Sequence, residues 1–209
     1  MELVVFGATG GTGRELVKQA LGHGHSVRAF VRNPDKLKVI HPRLEVVTGD
    51  VRNPDAVAGA IRGQDAVLSA LGMYSRKPNT ELSDAMRTLV AAMETERVKR
   101  LMMVSSVGVG DTQGQLGPLY NLVLLPLLLK EIFADKETAE TVVRESPLDW
   151  TIVRPGRLTN ARLTGKYRSG PDAAKGLWFP KIARAEVADF MLNALERKLF
   201  IGETPSIVY

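Results

Sequence analysis

The chain has 209 residues, 44% of them hydrophobic and 24% charged, and contains no cysteine. That length and balance suit one packed α/β domain and argue against disorder, while the missing cysteine excludes disulfides, thiolate metal sites and thiol nucleophiles. The net charge of +5 is unevenly spread: the stretch from Arg154 to Arg184 holds eight basic residues and a single acid, Asp172.

Leu3–Phe6 is an unbroken apolar run ending in glycine, the pattern of a strand buried on both faces. The loop Gly7-Ala8-Thr9-Gly10-Gly11-Thr12-Gly13 follows. A helix then runs from about Thr12 to Leu21, with Leu16, Val17, Ala20 and Leu21 at helical spacing, and Gly22 stops it. Val27–Val31 is the second strand, after which Asn33-Pro34-Asp35 supplies an N-cap and a proline at the first position of a helix. Leu44–Val47 is the third strand, and Asn53-Pro54-Asp55 repeats the capping device for a helix to about Ile61. Then come a strand Ala66–Leu71, a helix Leu82–Glu96, a strand Leu101–Val104, a helix Lys130–Glu145, a strand Thr151–Val153 and a helix Ala185–Leu195. Ser206–Tyr209 is expected as an edge strand.

Alternating strands and helix-length crossovers require a parallel sheet covered on both faces. The expected architecture is a doubly wound α/β sheet, a Rossmann fold, in one domain over 1–209 with a small substrate-side loop region near the C-terminus. The most apolar stretch, Leu119–Leu129, is interrupted by Asn121 and Pro126 and is too short to cross a bilayer core of ~30 Å. It reads as a lid over a planar ligand or as a partner surface, and no membrane span is expected. The N-terminus enters the glycine loop with no basic leader, so a cytoplasmic location is expected.

Gly7, Gly10 and Gly13 lie three residues apart between a buried strand and a helix. There the chain turns sharply, and a pyrophosphate can approach bare backbone and the unpaired N–H groups of the helix start. Gly11 belongs to the same loop, and the hydroxyls of Thr9 and Thr12 are further phosphate donors. The end of the second strand chooses the dinucleotide. An NAD site usually carries an acid there, whereas this chain carries Arg32, with Lys36 one turn on. A guanidinium can pair with a 2′-phosphate, which makes NADP(H) the expected cofactor. Asp50, with Val51, is expected either at the adenine or as a cap for the next helix. Leu71, Gly72 and Ser105, at the ends of the fourth and fifth strands, are expected on the same ligand edge.

The glycine loop, Val31-Arg32-Asn33-Pro34, Gly49-Asp50-Val51, Ser105-Ser106, Lys136 with Glu140, and Arg154-Pro155-Gly156 resemble the atypical short-chain dehydrogenases. Within them the chain is most similar to the flavin reductase/biliverdin-IXβ reductase group, and the likeness runs through Leu163-Thr164-Gly165 over essentially the whole length. The resemblance implies that Ser106 lies beside the nicotinamide and substrate, with loop capping as its alternative role. It implies that Lys136 approaches the ribose or substrate, although an i,i+4 surface ion pair with Glu140 is the simpler account. Pro155 and Gly156 would pass along the nicotinamide amide. The biliverdin-IXβ branch carries histidines near the positions of Lys136, Glu140 and Arg157, and this chain does not.

Ordinary short-chain dehydrogenases pair a tyrosine with a lysine four residues later. Tyr120 lies at a suitable distance from Ser106, yet Leu124 occupies the lysine position. The alcohol-oxidising machinery is therefore incomplete, which favours hydride delivery to a flavin, quinone or tetrapyrrole, with the cofactor supplying the difficult chemistry. Arg157 and Tyr120 are the expected substrate contacts. The basic stretch has no aromatic-interleaved or helix-turn-helix pattern, so a small planar anion suits it better than nucleic acid, with solvated surface charge as the alternative. A non-catalytic NADP(H) sensor is the second function class; a nucleotide-sugar epimerase ranks below both. His23, His25 and His41 are expected as surface residues with no metal, and the protein as a monomer or weak homo-oligomer.

Overall fold

The computed structural model describes residues 1–72, 80–112 and 130–209. The strands are β1 (Glu2–Phe6), β2 (Ser26–Val31), β3 (Leu44–Thr48), β4 (Ala66–Ser69), β5 (Arg100–Val104), β6 (Asp149–Pro155), β7 (Arg157–Thr159), β8 (Arg168–Gly170), β9 (Lys181–Ala183) and β10 (Ser206–Val208). The helices are α1 (Gly11–Gly22), α2 (Pro54–Ile61), α3 (Glu81–Thr95), α4 (Lys130–Arg144) and α5 (Arg184–Glu196).

The main sheet runs β3-β2-β1-β4-β5-β6-β10-β8, with β7 and β9 forming a separate parallel pair. All pairings in the main sheet are parallel except β10 with β8. The order reverses at β1, and the switch point of such a sheet opens a crevice at the carboxyl ends of its strands. The period-two pleat divides the core. Leu3 and Val5 of β1, with Leu68, Met102 and Val153, pack under α1 and α5. Val4 and Phe6, with Val67, Leu101, Met103 and Ile152, pack under α2, α3 and α4. Each central strand is buried twice, which is why the strands read as continuous apolar runs.

Asn33 caps only a 3₁₀ turn, Pro34–Lys36, because Leu37 is already extended and turns its side chain into the core. Asn53 caps a full helix, accepting from Asp55 and Ala56 N–H. The C-terminal strand β10 is an interior strand: β6 pairs with it in parallel and β8 closes the edge. The first turn of α3 has no cap from its own Thr80. Instead the buried carboxylate of Asp135 on α4 accepts from Leu82 N–H at 2.9 Å and Ser83 N–H at 3.1 Å.

Candidate dinucleotide site

The glycine loop, Arg32, Asp50, Leu71, Ser105 and Gly156 all lie at or just beyond the carboxyl ends of parallel strands. Residues scattered along the sequence thus share one edge. Gly7 turns with φ +77°, and a Cβ there would sit 2.5 Å from the Ala70 carbonyl oxygen. A Cβ on Gly13 would collide with the Gly7 carbonyl, so the backbone just past β4 closes the space at Gly7 and the end of β1 closes it at Gly13. No side chain caps α1, and its ladder begins with Arg14 N–H to Gly10 O at 2.9 Å. The N–H groups of Gly11, Thr12 and Gly13 are therefore available to an anion.

Arg32 and Lys36 are both exposed on the turn after β2. Arg14, which the sequence reading passed over, leans from α1 to the same turn and donates to the Lys36 carbonyl at 2.9 Å. Its position directly after Gly13 was the available signal. Three cations now flank the strand end where a dinucleotide places its adenosine ribose.

Asp50 does not cap α2; that role belongs to Asn53. Its carboxylate is held by Arg52, from Nε at 3.0 Å, NH2 at 2.6 Å and the backbone N–H at 2.9 Å. The Arg52 side-chain bonds draw its pKa down to about 2, so Asp50 is a fixed anion beside Arg32. Val51 is buried against the α2–α4 side of the core. Leu71 is half-buried and Gly72 exposed, just past β4.

At the other end of the edge, Ser106 Oγ donates to the Val107 carbonyl at 3.2 Å, within its own turn. The Ser105 hydroxyl is buried and meets no hydrogen-bond partner among the described residues, an unsatisfied group that a bound ligand would relieve. Lys136 Nζ donates to the Ser105 carbonyl at 3.4 Å. Burial pulls the pKa of this lysine down to about 8, against an opposing pull from Glu140.

Glu140 is not a surface partner of Lys136. It is fully buried and takes Arg154 Nε at 3.1 Å and NH2 at 2.6 Å, with Arg144 adding a contact at 3.3 Å. Arg154 also pairs with Asp111. This removes Arg154 from the exposed basic stretch and turns it into a tie between β6, α4 and the turn after β5. Arg157 and Lys181 remain exposed and face each other in the β7–β9 register. Trp178 and Phe179, 63% and 56% exposed, precede Pro180, whose carbonyl accepts from Arg157 N–H at 2.8 Å. Sequence reading also missed these two aromatics. Tyr120 and the Leu119–Leu129 segment lie outside the described residues.

Of the three histidines expected at the surface, His25 is buried at 8% exposure. His23 Nδ1 and His25 Nε2 both meet Glu196 Oε1 at 2.8 Å. Their three ligand atoms lie within 4.8 Å of one another. The cluster joins the end of α1 to the end of α5, at the edge opposite the glycine loop. A surface cleft of about 580 Å³ is lined by Arg144, Trp150, Glu203 and neighbours; none of its residues belongs to the glycine loop or the Arg32 turn. Among the described residues, no helix is long and apolar enough to cross a membrane.

Fold and site together define a doubly wound dinucleotide-binding protein. The chain belongs to the NAD(P)H-binding family, whose pattern matches residues 7–198. It is 34% identical over 212 residues to an uncharacterized chloroplastic protein of Arabidopsis thaliana, covering 93% of this chain and 71% of that one. An uncharacterized sugar epimerase, YhfK of Bacillus subtilis, is 28% identical over 221 residues, or 98% of this chain and 96% of the other. Among solved structures, the anaerobillin reductase ChuY of Escherichia coli O157:H7 superposes with a TM-score of 0.84 at 24% identity, over 100% of this chain and 97% of that one. A short-chain dehydrogenase/reductase of Veillonella parvula shares the fold of this chain with a TM-score of 0.82 at 20% identity, over 99% of this chain and 93% of that one.

Proposed function

We propose that this protein is an NADPH-dependent reductase that delivers hydride to a small planar, anionic acceptor of the flavin, quinone or tetrapyrrole class. The observation that carries the reading is the division of one sheet edge into two chemically distinct ends. Arg14, Arg32 and Lys36 gather cations at the β2 end, while Ser105, Ser106 and Lys136 sit at the β5 end, with the glycine loop between them in the sheet.

Backbone N–H groups of Gly11, Thr12 and Gly13 would take the pyrophosphate, with the Thr9 and Thr12 hydroxyls beside it, and Arg32 with Lys36 the 2′-phosphate. Asp50 and Val51 would border the adenine; Leu71, Gly72, Ser105, Pro155 and Gly156 would line the path to the nicotinamide. That group supplies the hydride when bound. Ser106 would orient the acceptor, and Lys136, whose burial brings its pKa down to about 8, would hold a proton for the reduced product. Arg157 would meet the acceptor's anionic group, and the exposed rings of Trp178 and Phe179 suit a flat partner. The sequence lacks the tyrosine–lysine pair at Tyr120 and Leu124, which speaks against alcohol oxidation and sugar epimerisation.

The test is NADPH oxidation by the full chain with FMN, a quinone and biliverdin, each offered separately. Turnover of at least one, faster with NADPH than with NADH, is the expected result. Tight NADPH binding with turnover of none would instead favour a redox sensor.

A further inference from the structure

Arg184 opens α5 and lies across the glycine loop. A Cβ built on Gly11 would sit 2.5 Å from Arg184 Cδ and 2.6 Å from its Nε, so the side chain covers the backbone of the first residue of α1. Its NH1 donates to Asn160 Oδ1 at 2.6 Å. The loop after Asn160 is in turn tied to α5. The buried Glu186 carboxylate accepts from Thr164 N–H at 2.8 Å, Thr164 hydroxyl at 2.6 Å and Gly165 N–H at 3.1 Å.

This arrangement is electrostatically one-sided. The start of a helix carries partial positive charge and favours anions, yet a guanidinium, a permanent cation, lies upon it. The first turn of α1 contains no acid, and Arg14 adds another positive charge. The only hydrogen-bond partner of the Arg184 side chain among the described residues is a neutral amide. A bound anion would resolve the mismatch, and the remaining guanidinium N–H groups match phosphate geometry.

We propose that Arg184 is a diphosphate-binding residue that contacts the dinucleotide across Gly11, and that Asn160 is its positioning residue. The inference rests on the dinucleotide reading of the same loop. It assigns recognition of the diphosphate shared by NADPH and NADH to a residue about 170 positions from the glycine loop in sequence.

The experiment is calorimetric titration of the full chain with NADPH, NADH, ADP and adenosine at two salt concentrations. Wild type, Arg184→Met, Arg184→Gln and Arg184→Lys are compared, with folding of each checked by circular dichroism. Losing a charge-assisted phosphate contact should weaken NADPH, NADH and ADP by a common factor of about 10 to 100. Adenosine binding should stay unchanged, the salt dependence should become shallower, and Arg184→Lys should recover part of the loss. Arg184→Gln keeps the test available should the methionine variant fail to fold. Unchanged affinity for both dinucleotides would overturn the assignment. So would a loss confined to NADPH, which would place Arg184 at the 2′-phosphate. A wild-type protein that binds neither dinucleotide would overturn the cofactor reading itself.

Discussion

Arg154 of β6 and Glu140 of α4 are both 0% exposed and meet in a two-bond pair, Nε to Oε1 at 3.1 Å and NH2 to Oε2 at 2.6 Å. Asp111, in the turn after β5, binds the same guanidinium. Removing Glu140 takes away the buried carboxylate and leaves the buried guanidinium with the exposed Asp111 carboxylate. Glu140→Gln is therefore expected to cost about 3–5 kcal/mol of unfolding free energy, read from urea denaturation. The double change Arg154→Met with Glu140→Leu should cost less than either single change, because apolar pairs replace buried ion pairs with little penalty.

Lys136 is half-buried, and its pKa lies near 8 because burial disfavours the ammonium. Its protonated form therefore dominates below pH 8 and is lost above it. Acceptor reduction at saturating NADPH should fall as pH rises through about 8, and Lys136→Met should be about 100-fold slower with that limb absent. Stability moves the opposite way from activity as pH rises. An unfolded lysine keeps its proton up to about 10.5, so the stability penalty of the buried ammonium lessens between pH 8 and 10.5. At pH 7 the methionine variant should melt no lower than wild type while losing activity, an outcome a purely structural lysine would not give.

Arg32 supplies the test of cofactor choice. Arg32→Asp should weaken NADPH about 10- to 100-fold, the scale of a lost charge-assisted phosphate contact, and leave NADH nearly unchanged or improved. The ratio of KM values for the two cofactors reads this directly, and equal losses would remove Arg32 from the 2′-phosphate.

Glu196 links α1 to α5 through His23 and His25. Burial pushes its carboxyl upward, but the two histidine hydrogen bonds prevail and hold it below the ordinary 4.5. Its contribution to stability is thus complete above about pH 4.5 and is lost as pH falls through the lower folded value. Glu196→Gln should lower the melting temperature at pH 7 and narrow its difference from wild type in acid, as scanning calorimetry across pH 3–7 would show.

The sheet and glycine loop were legible because their signals are local. Apolar runs marked β1, β4 and β5, helical spacing marked α1, and Asn53-Pro54 marked the start of α2. Asn33-Pro34 carried the same signal and made only a turn, because Leu37 is drawn into the core. Contacts made across the fold left no local trace. Glu140 looked like a surface residue one turn after Lys136, and only folding brings it beneath Arg154. Arg184 looked like one cation among eight until α5 laid it over Gly11. The strands β7, β8 and β9 span three residues each, too few for alternation to distinguish them from loop.

Hydride transfer itself is the most direct test. NADPH deuterated at nicotinamide C4 on one face and then on the other should be compared as substrate with the acceptor that turns over. A reductase that holds the nicotinamide fixed along the β5–β6 edge should show a primary isotope effect with one label only. Equal rates with both labels and the unlabelled cofactor, under conditions where single-turnover measurement isolates the chemical step, would contradict hydride delivery from this site.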